Sequence, residues 1–502
     1  MERENTMGNE KFEDYRLEDA LLRSLGLLHY MEPTEVQKQV IPAVLEKKDI
    51  IVRSQTGSGK TAAFAIPICQ LTEWEDNKPQ ALVLTPTREL ALQVREEIFN
   101  IGRFKRLKAA AVFGKSPFHY QEKELKQKTH VVVGTPGRII DHIERETFDT
   151  SNIKFLVMDE ADKMLQMGFI EQIDTILEKL PGERVTILLS ATMPADIKAL
   201  CDKYMNHPLL AEVEEKNPAV DRIQQERYQV EQAEKINLLK DIIIVENPDS
   251  CIVFCNTKQM VDEVFGELEG LLYTCEKIHG GMEQRDRLRV MEDFRKGRFR
   301  YLVATDVAAR GIDIDNITLV INYDVPQDRE NYVHRIGRTG RIGNTGRAIT
   351  FVSRDETGYF QEIQQFIGRE IPVKGRPDKE TVNEARQEFF GKLASRPEIK
   401  EAKGAQLSRD ITKLHINAGK KTKMRPVDIV GTLCNIEGMT AEDIGIINVM
   451  DISTFVEILN NKGDMVLSKL RETPIKGRLR TVSKGKMKTS RKDINRNGVK
   501  ND

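Results

Sequence analysis

Two long stretches of this chain alternate short apolar runs with amphipathic segments of helix length, and this alternation constrains the fold more than any other feature. Runs such as Ile50-Ile51-Val52 and Leu82-Val83-Leu84 are apolar at every position. Strands buried on both faces of a parallel sheet have this pattern, whereas half-exposed strands alternate apolar with polar residues. We therefore predict an α/β fold class with two tandem parallel-sheet domains.

A smaller unit follows these two stretches. Residues 413–417 and 454–458 alternate in the manner of strands, and residues 464–471 have a helical pattern, which predicts a small C-terminal α+β domain. The predicted organisation is an N-terminal extension 1–11, a first domain 12–207, a linker 208–220, a second domain 221–370, a linker 371–407, the C-terminal module 408–483 and a basic disordered tail 484–502.

The charge of the chain is unevenly distributed. The net charge is −1, yet residues 408–502 contain 19 Lys or Arg and only 11 Asp or Glu. A basic terminal module on a mildly acidic body indicates a binder of polyanions, with a merely solubilising tail as the alternative.

Other features narrow the class of protein. The N-terminus is charged and leads into no apolar run, and no stretch approaches the ~18 apolar residues that a membrane-spanning helix needs. The six cysteines form no CxxC pair. We therefore expect reduced thiols in a cytoplasmic protein, without a membrane partner.

A phosphate-binding loop follows the first apolar run. Glycines in such a loop let backbone N–H groups approach phosphates, the lysine reaches the β and γ groups, and the hydroxyl is a magnesium ligand. The alternative is a chance glycine-rich turn. The loop residues predicted to bind nucleotide are Gln55, Thr56, Gly57, Ser58, Gly59, Lys60 and Thr61.

Two acids end a later apolar run, Phe155-Leu156-Val157-Met158. Asp159 is the expected Mg²⁺ partner together with Thr61, partly through water, and Glu160 is expected to position or deprotonate the attacking water. Solvated acids that cap the next helix are the alternative. Because the chain also carries a phosphate loop, we favour a nucleoside triphosphatase that uses ATP and Mg²⁺.

The second domain has no phosphate loop but carries a run rich in arginine, His334-Arg335-Ile336-Gly337-Arg338-Thr339-Gly340-Arg341. Arginine neutralises charge on a transferring phosphoryl group. A basic surface turn is the alternative. Two similar domains with one loop predict a nucleotide held between them, with arginines supplied across the cleft.

Taken in order, these motifs resemble a DEAD-box RNA helicase over residues 12–352. Further motifs carry the resemblance: Pro33-Thr34-Glu35-Val36-Gln37, Pro86-Thr87-Arg88-Glu89-Leu90, Phe113-Gly114-Lys115-Ser116, Thr135-Pro136-Gly137-Arg138, Ser190-Ala191-Thr192, Phe254-Cys255-Asn256-Thr257, Gln284-Arg285-Asp286-Arg287 and Thr305 to Asp313. The resemblance implies two RecA-like domains, each a parallel sheet with helices on both faces.

The resemblance also implies roles for individual residues. The implied nucleotide contacts are Phe12, Gln37 and Asp313, with Arg338 and Arg341 at the γ-phosphate. The residues implied to couple hydrolysis to RNA are Asp162, Ser190, Thr192 and His334. The implied RNA contacts in the core are Pro86, Thr87, Arg88, Gly114, Thr135, Pro136, Gly137, Arg138, Thr257, Arg287, Thr305 and Gly311. Each RNA loop read alone would be an ordinary turn, and such loops contact phosphates without reading bases.

Residues 408–483 resemble the RNA-binding domain of the bacterial DbpA subfamily, an atypical RRM that recognises a hairpin of large-subunit ribosomal RNA. An ordinary RRM stacks bases on aromatic residues of its central strands. The first strand here has no Phe, Tyr or Trp, and the third has only Phe455. Phosphate contacts are therefore expected from Lys420, Lys421, Lys423 and Arg425, with a solvated loop as the alternative.

The resulting expectation is an RNA-dependent ATPase that unwinds short RNA duplexes and is directed to 23S ribosomal RNA in 50S subunit assembly. Its expected partners are single-stranded and duplex RNA, the ribosomal hairpin and the pre-ribosomal large subunit, and it is expected to be a monomer. The alternative from another class is an ATP-gated RNA clamp or annealing factor without productive unwinding. A DNA translocase is a third possibility, distinguished by comparing RNA with DNA as activators.

Overall fold

The computed structural model describes residues 10–54, 58–212, 223–271, 274–306, 317–340, 346–394 and 404–485. Their secondary structure forms two seven-stranded parallel sheets and one four-stranded antiparallel sheet. The predicted fold class is thereby confirmed. Among the residues described, no helix is both long and apolar enough to cross a bilayer.

The first domain surrounds a parallel sheet of order β3-β4-β2-β5-β6-β1-β7. The strands are β1 (Ile50–Arg53), β2 (Ala81–Leu84), β3 (Ala109–Val112), β4 (Val131–Gly134), β5 (Phe155–Met158), β6 (Val185–Ser190) and β7 (Leu209–Glu212). The helices are α1 (Asp19–Leu27), α2 (Glu35–Leu45), α3 (Lys60–Leu71), α4 (Arg88–Ile101), α5 (Phe118–Leu125), α6 (Pro136–Glu144), α7 (Ala161–Gln166), α8 (Ile170–Glu178) and α9 (Ala195–Tyr204). Every residue of β2, β4 and β5 is buried, because helices cover both faces of the sheet.

The second domain repeats this arrangement with the order β10-β11-β9-β12-β13-β8-β14. Its strands are β8 (Ile223–Gln229), β9 (Cys251–Phe254), β10 (Cys275–Ile278), β11 (Tyr301–Ala304), β12 (Leu319–Asn322), β13 (Gly346–Val352) and β14 (Val373–Lys374). Its described helices are α10 (Lys235–Glu246), α11 (Lys258–Glu269), α12 (Gln284–Arg295), α13 (Arg329–Ile336), α14 (Thr357–Ile367) and α15 (Lys379–Ala394).

The C-terminal module has the chain order strand, helix, strand, strand, helix, strand. Its elements are β15 (Thr412–Ile416), α16 (Pro426–Cys434), β16 (Ile444–Val449), β17 (Thr454–Ile458), α17 (Gly463–Lys469) and β18 (Val482–Lys484). The sheet order is β16-β17-β15-β18, and the pairs are antiparallel. A separate cluster of buried apolar side chains, including Leu414, Ile429 and Val456, forms its core.

Both segments that the sequence predicts as linkers are partly folded. Residues 209–212 form β7, which pairs with β1 at the edge of the first sheet, so the linker predicted at 208–220 begins too early. In the segment 371–407, α15 buries Val382 and Phe389 in the second domain. Because β7 is largely exposed and α15 carries many charged residues, composition alone does not predict that either segment is folded. The tail beyond residue 485 lies outside the described residues, and its disorder stays a prediction.

Candidate active site

The phosphate loop lies at the carboxyl edge of the first sheet, between β1 and α3. Lys60 is the first residue of α3, and its buried amine donates a hydrogen bond to the Ser54 carbonyl at 2.8 Å. Burial lowers the pKa of Lys60, although the nearby carboxylates of Asp159 and Glu160 oppose the shift. The amine therefore lies at the residue where β1 leads into the loop, bonded to the Ser54 carbonyl.

Two side chains of the α2 region fix the shape of this loop. Gln37 donates from Nε2 to the Gly59 carbonyl at 3.2 Å, and the Thr34 hydroxyl donates to the Ser58 carbonyl at 3.0 Å. Gly59 has a φ of 87°, and a Cβ there would lie 2.8 Å from Gln37 Nε2. Gln37 thus connects the loop to α2. Gln55, Thr56 and Gly57 lie outside the described residues, so their contacts stay predictions.

Phe12, expected at the nucleotide base, is largely covered in this structure. Its ring is 3% exposed and makes edge contacts with Tyr15 and Tyr30 at centroid distances of 6.4 and 6.3 Å. The structure places Phe12 in the core cluster that also contains Val36 of α2. Stacking of Phe12 on a base stays a prediction.

The acidic pair follows β5 beside the phosphate loop. Burial raises the pKa of Asp159 to about 6, and the adjacent Glu160 carboxylate adds to this shift. Burial would also raise the pKa of Glu160, but Lys163, Lys60 and Arg338 outweigh it and hold that pKa below its ordinary value. Glu160 accepts a hydrogen bond from Lys163 Nζ at 2.8 Å. The pair thus combines one carboxyl that burial makes harder to ionise with one that cations keep charged.

Asp162 connects the acidic turn to the end of β6. Its Oδ2 accepts hydrogen bonds from the backbone N–H groups of Ala191 and Thr192, both at 3.0 Å, and from the Thr192 hydroxyl at 3.2 Å. The Ser190 hydroxyl donates to the Thr192 carbonyl at 2.6 Å. Asp162 therefore joins the acidic turn to the Ser190–Thr192 segment by direct hydrogen bonds.

In the second domain, Arg335 joins Asn256 and Asp306, which follow the carboxyl ends of β9 and β11. It is 1% exposed and donates to both carboxylate oxygens of Asp306, at 2.6 and 2.7 Å, and to Asn256 at 2.7 Å. One turn later Arg338 is 6% exposed, and its Nε donates to the His334 carbonyl at 3.3 Å. Its guanidinium also helps to hold the pKa of Glu160, in the first domain, below its ordinary value.

The two domains contact each other directly beside loops that are expected at RNA. Arg287 of α12 lies 3.0 Å from Glu89 of α4, with 13% and 7% of their side chains exposed. Gln284 donates to Glu89 at 3.0 Å and accepts from Arg88 at 2.8 Å. Arg88 and Arg287, both expected at RNA, therefore also join the domains. We name Arg88, Glu89, Gln284 and Arg287 the interdomain cluster.

The other residues expected at RNA in the core lie mostly at helix starts. Thr87 and Thr257 are N-caps whose side chains accept from Leu90 N–H and Met260 N–H. Thr135 is the N-cap of α6, and Pro136, Gly137 and Arg138 form its first turn. Pro86 directly precedes Thr87, Thr305 directly follows β11, and a Cβ on Gly114 would lie 3.7 Å from Arg88. Gly311, Asp313 and Arg341 lie outside the described residues.

The cations expected at RNA in the module differ in their surroundings. Lys420, Lys421 and Lys423 are exposed in the loop after β15. Arg425 instead makes an ion pair with Asp428 at 3.0 Å and precedes α16 as its N-cap. The three lysines are therefore better placed than Arg425 to meet a phosphate backbone.

Sequence reasoning assigned no role to Lys163, Glu89 and Gln284, although all three lie in or beside quoted motifs. Lys163 stands three residues after Glu160 on the first turn of α7, a spacing at which ion pairs form. That spacing was the available signal. Glu89 and Gln284 carry no comparable signal, because they are 195 residues apart in the chain.

Family models match three parts of the chain in order. The DEAD/DEAH box helicase model covers residues 34–200, the helicase conserved C-terminal domain covers 234–343, and the DbpA RNA binding domain covers 413–484. The three matched regions lie within the two parallel-sheet domains and the C-terminal module.

Individual proteins and structures agree with these models. The ATP-dependent RNA helicase DbpA of Bacillus subtilis (strain 168) is 55% identical, over 94% of this chain and 99% of that protein. The structure of S. cerevisiae Dbp5 bound to RNA and ADP BeF3 is similar with a TM-score of 0.68 and 31% identity, over 76% of this chain and 99% of that one. Mss116p bound to ssRNA and AMP-PNP gives 0.67 and 28%, over 79% and 85%. The chain therefore belongs to the DEAD-box ATP-dependent RNA helicases, which are RNA-dependent ATPases, and carries a DbpA RNA-binding domain.

Proposed function

We propose that this helicase opens short RNA duplexes locally and that its C-terminal module directs it to a hairpin of large-subunit ribosomal RNA during 50S assembly. The observation that supports the first part is the direct contact between the two domains, where Arg287 lies 3.0 Å from Glu89 beside helix starts expected at RNA. The charge of Arg338 in the second domain also helps to lower the pKa of Glu160 in the first. We further propose that it acts as a monomer in the cytoplasm, where such an RNA is assembled.

The residues present fit a magnesium–triphosphate group. Within the described ranges no three His, Cys, Asp or Glu side chains cluster as a metal site. Mg²⁺ is usually held by one or two protein ligands plus substrate phosphates, so Thr61 and Asp159 suffice as its proposed partners. Oε2 of Glu160 is buried and makes no hydrogen bond among the described residues, so it can accept a hydrogen bond from the attacking water. When bound, Mg·ATP supplies the phosphoanhydride bond and the metal charge that screens its oxygens.

The side chains of the site have separate roles in the proposed hydrolysis of ATP. Lys60 and Arg338 neutralise phosphate charge from opposite sides of the cleft, which lowers the cost of charge that develops during phosphoryl transfer. Glu160 orients the attacking water and accepts its proton. Asp162 fixes Thr192, so that movement at the acidic turn reaches the RNA side of the first domain.

Duplex opening follows from where the RNA loops lie. Helix N-termini at Thr87, Thr135 and Thr257 present backbone N–H groups that suit phosphates and need no base contacts. The interdomain cluster joins these loops only when the domains are close. A single strand bent across both domains can no longer pair with its complement, which is how closure would release the second strand.

The ribosomal target rests on the module. The match to the DbpA RNA binding domain and the 55% identity to B. subtilis DbpA support it. So do the three exposed lysines after β15, because a phosphate backbone is bound by clustered cations.

The test compares two RNAs of equal length at one salt concentration. One contains the ribosomal hairpin next to a short labelled duplex, and the other has the hairpin scrambled. We expect stronger ATPase stimulation by the first RNA and release of its labelled strand faster than spontaneous dissociation. Equal stimulation would remove the ribosomal target, and ATP-dependent binding without faster strand release would favour the clamp.

A further inference from the structure

The C-terminal module presents one face of its sheet to the first domain. Leu414, Val456 and Ile458 point into the module's own core. Side chains in a strand alternate between faces, so Phe455 and Glu457 belong to the opposite, outer face. An outer-face carboxylate would ordinarily be solvated, yet Glu457 is only 7% exposed. The Ile446 N–H of the module donates to this carboxylate at 3.4 Å, and its ionic contact comes from outside the module.

The covering residues come from the turn between α4 and β3. Arg103 in this turn lies 3.3 Å from Glu457, and the two side chains are 8% and 10% exposed. A charged pair that is excluded from water to this degree is found in protein interiors rather than at chance surface contacts. Removing either partner would leave the other as a buried, unpaired charge.

Two more cations of the same turn bind the edge strand β16 and its approach. Lys108 donates from Nζ to the Ile447 carbonyl at 3.0 Å and also to the Asn448 side chain, and Arg106 donates to the Ala441 carbonyl. An edge strand leaves carbonyl groups unpaired, and here cations of the first domain occupy them. Burial lowers the pKa of Lys108 to about 8, with Lys128 adding to the effect.

The chain that enters the module is itself attached to the first domain. Leu407 is 2% exposed and belongs to the core cluster that includes Leu21 of α1 and Ile101 of α4. A Cβ on Gly404 would lie 3.0 Å from the Asn100 side chain, so the backbone runs close against α4. At a third point, Arg23 donates to Asn460 at 2.7 Å. Three separate groups of contacts thus restrain the module.

We infer that the outer face of the module's sheet is an intramolecular docking surface for the α4–β3 turn of the first domain. Docking holds the module in one orientation beside the ATPase core, whereas a module on a free tether would sample many. The exposed lysines after β15 remain available, so RNA on them would meet the core from a fixed direction. That consequence rests on the proposed function, but docking itself is independent of RNA.

The test measures a distance in the full-length protein without RNA or nucleotide. Cys434 is exposed and Cys275 half-buried, so both are replaced by serine, and spin labels are attached at Glu144→Cys in the first domain and Glu472→Cys in the module. Electron resonance should give one narrow distance distribution. A broad distribution in this parent protein would overturn the inference.

Charge reversal then tests the specific contact. Arg103→Glu and Glu457→Arg should each broaden the distribution, and the double exchange should make it narrow again, with circular dichroism confirming that each variant is folded. Lys469→Glu, on the exposed end of α17, is the matched control and should leave the distribution narrow. Single reversals that leave it narrow would also overturn the inference.

A last variant separates docking from RNA targeting. Lys423→Glu should weaken binding of the hairpin RNA and leave the distance unchanged. If the distance behaves as expected but the hairpin is not preferred over scrambled RNA, docking stands and the ribosomal target falls.

Discussion

The amine of Lys163 donates a hydrogen bond to the carboxylate of Glu160 at 2.8 Å, and the two side chains are 5% and 11% exposed. The bond occupies Oε1, while Oε2 is buried without a hydrogen-bond partner among the described residues. Glu160 itself has a φ of 53° and is the N-cap of the helix that begins at Ala161, so its carboxylate lies against the first turn of that helix. One oxygen is therefore held by Lys163, and the other can accept a further hydrogen bond, as the proposed role of Glu160 requires.

Glu160→Gln should abolish turnover while retaining binding of ATP and RNA. The amide oxygen of glutamine can still accept from Lys163, so the change removes the base and little of the geometry. We expect a fall of at least ~100-fold in kcat, as for loss of a general base. Single-turnover hydrolysis and nucleotide titration measure the two effects. Turnover near the parent rate would mean that another group acts as the base.

Arg338→Ala should reduce RNA-stimulated hydrolysis by ~10³-fold or more, as removal of an arginine finger does. The reason is that Arg338 belongs to the second domain, yet its charge helps to lower the pKa of Glu160 in the first. ATP affinity in the absence of RNA should change little. Arg341→Ala is expected to behave alike. If the isolated first domain hydrolysed ATP as fast as the whole chain, the cross-cleft role would be refuted.

The pair Glu89 and Arg287 should show energetic coupling. Glu89→Gln and Arg287→Gln each leave a largely buried charge without its ion-pair partner, so the RNA concentration for half-maximal ATPase should rise in both. The double variant should lose less than the two single losses combined, with a coupling of about 1 kcal/mol. If the two losses in apparent RNA affinity were strictly additive, the contact between Glu89 and Arg287 would contribute nothing to activity, and Arg287 would act through RNA alone.

Reversing lysines of the module should change salt dependence as well as affinity. Lys421→Glu and Lys423→Glu should each weaken hairpin binding and reduce the slope of log affinity against log salt by ~1 per lost phosphate contact. Lys469→Glu is the matched control on another side of the module. An unchanged slope in the loop variants would mean that Lys421 and Lys423 do not contact phosphates and are ordinary solvated residues.

The first domain should lose stability in mild acid because of His130. Its Nε2 donates to the Trp74 carbonyl at 3.1 Å and its Nδ1 accepts from the Lys108 N–H at 2.9 Å, which fixes a neutral ring. Burial lowers the pKa of His130 to about 4. Above pH ~6.5 both the folded and the unfolded ring are neutral, and below it only the unfolded ring takes up a proton. Stability should therefore fall between pH ~6.5 and 4, by up to about 3 kcal/mol.

Urea unfolding followed by the fluorescence of Trp74, the single tryptophan, reports this effect. His130→Asn keeps an acceptor in place of Nδ1 and does not titrate here, so its stability should depend less on pH over this range. An equal pH dependence in both proteins would contradict the role of His130, and would point to other buried groups such as His142, whose pKa burial also lowers to about 4.

The sequence predicted the central strands well and the outer ones poorly. β2 and β5 lie inside the first sheet, so every residue is apolar and the pattern is unmistakable. β3 consists of Ala109-Ala110-Ala111-Val112, and alanine favours helix over strand, so only its pairing with β4 reveals it. β8 is largely polar, and its buried Glu226 is satisfied by Arg347 and Lys374. Such partners are more than a hundred residues away and cannot be found by a local pattern.

The residues of the candidate site also differ in whether a local pattern predicts them. Lys60 and Glu160 were recognisable because each belongs to a short motif whose chemistry depends on local spacing. The interdomain cluster and the docked face of the module depend on contacts between distant residues, 195 positions apart for Glu89 with Gln284 and 354 for Arg103 with Glu457. Composition indicated a basic module but said nothing about which of its faces would be covered.

The attachment of Leu407 to the first domain has a mechanical consequence for the core. Helix α15 ends at Ala394 on the second domain, and Gly404 already lies against the first, so nine residues join the two. A chain of that length spans at most about 35 Å when fully extended. While both ends stay packed, this short connection sets an upper limit on the separation of the two domains. Lengthening it would raise that limit without altering any residue proposed to act in catalysis.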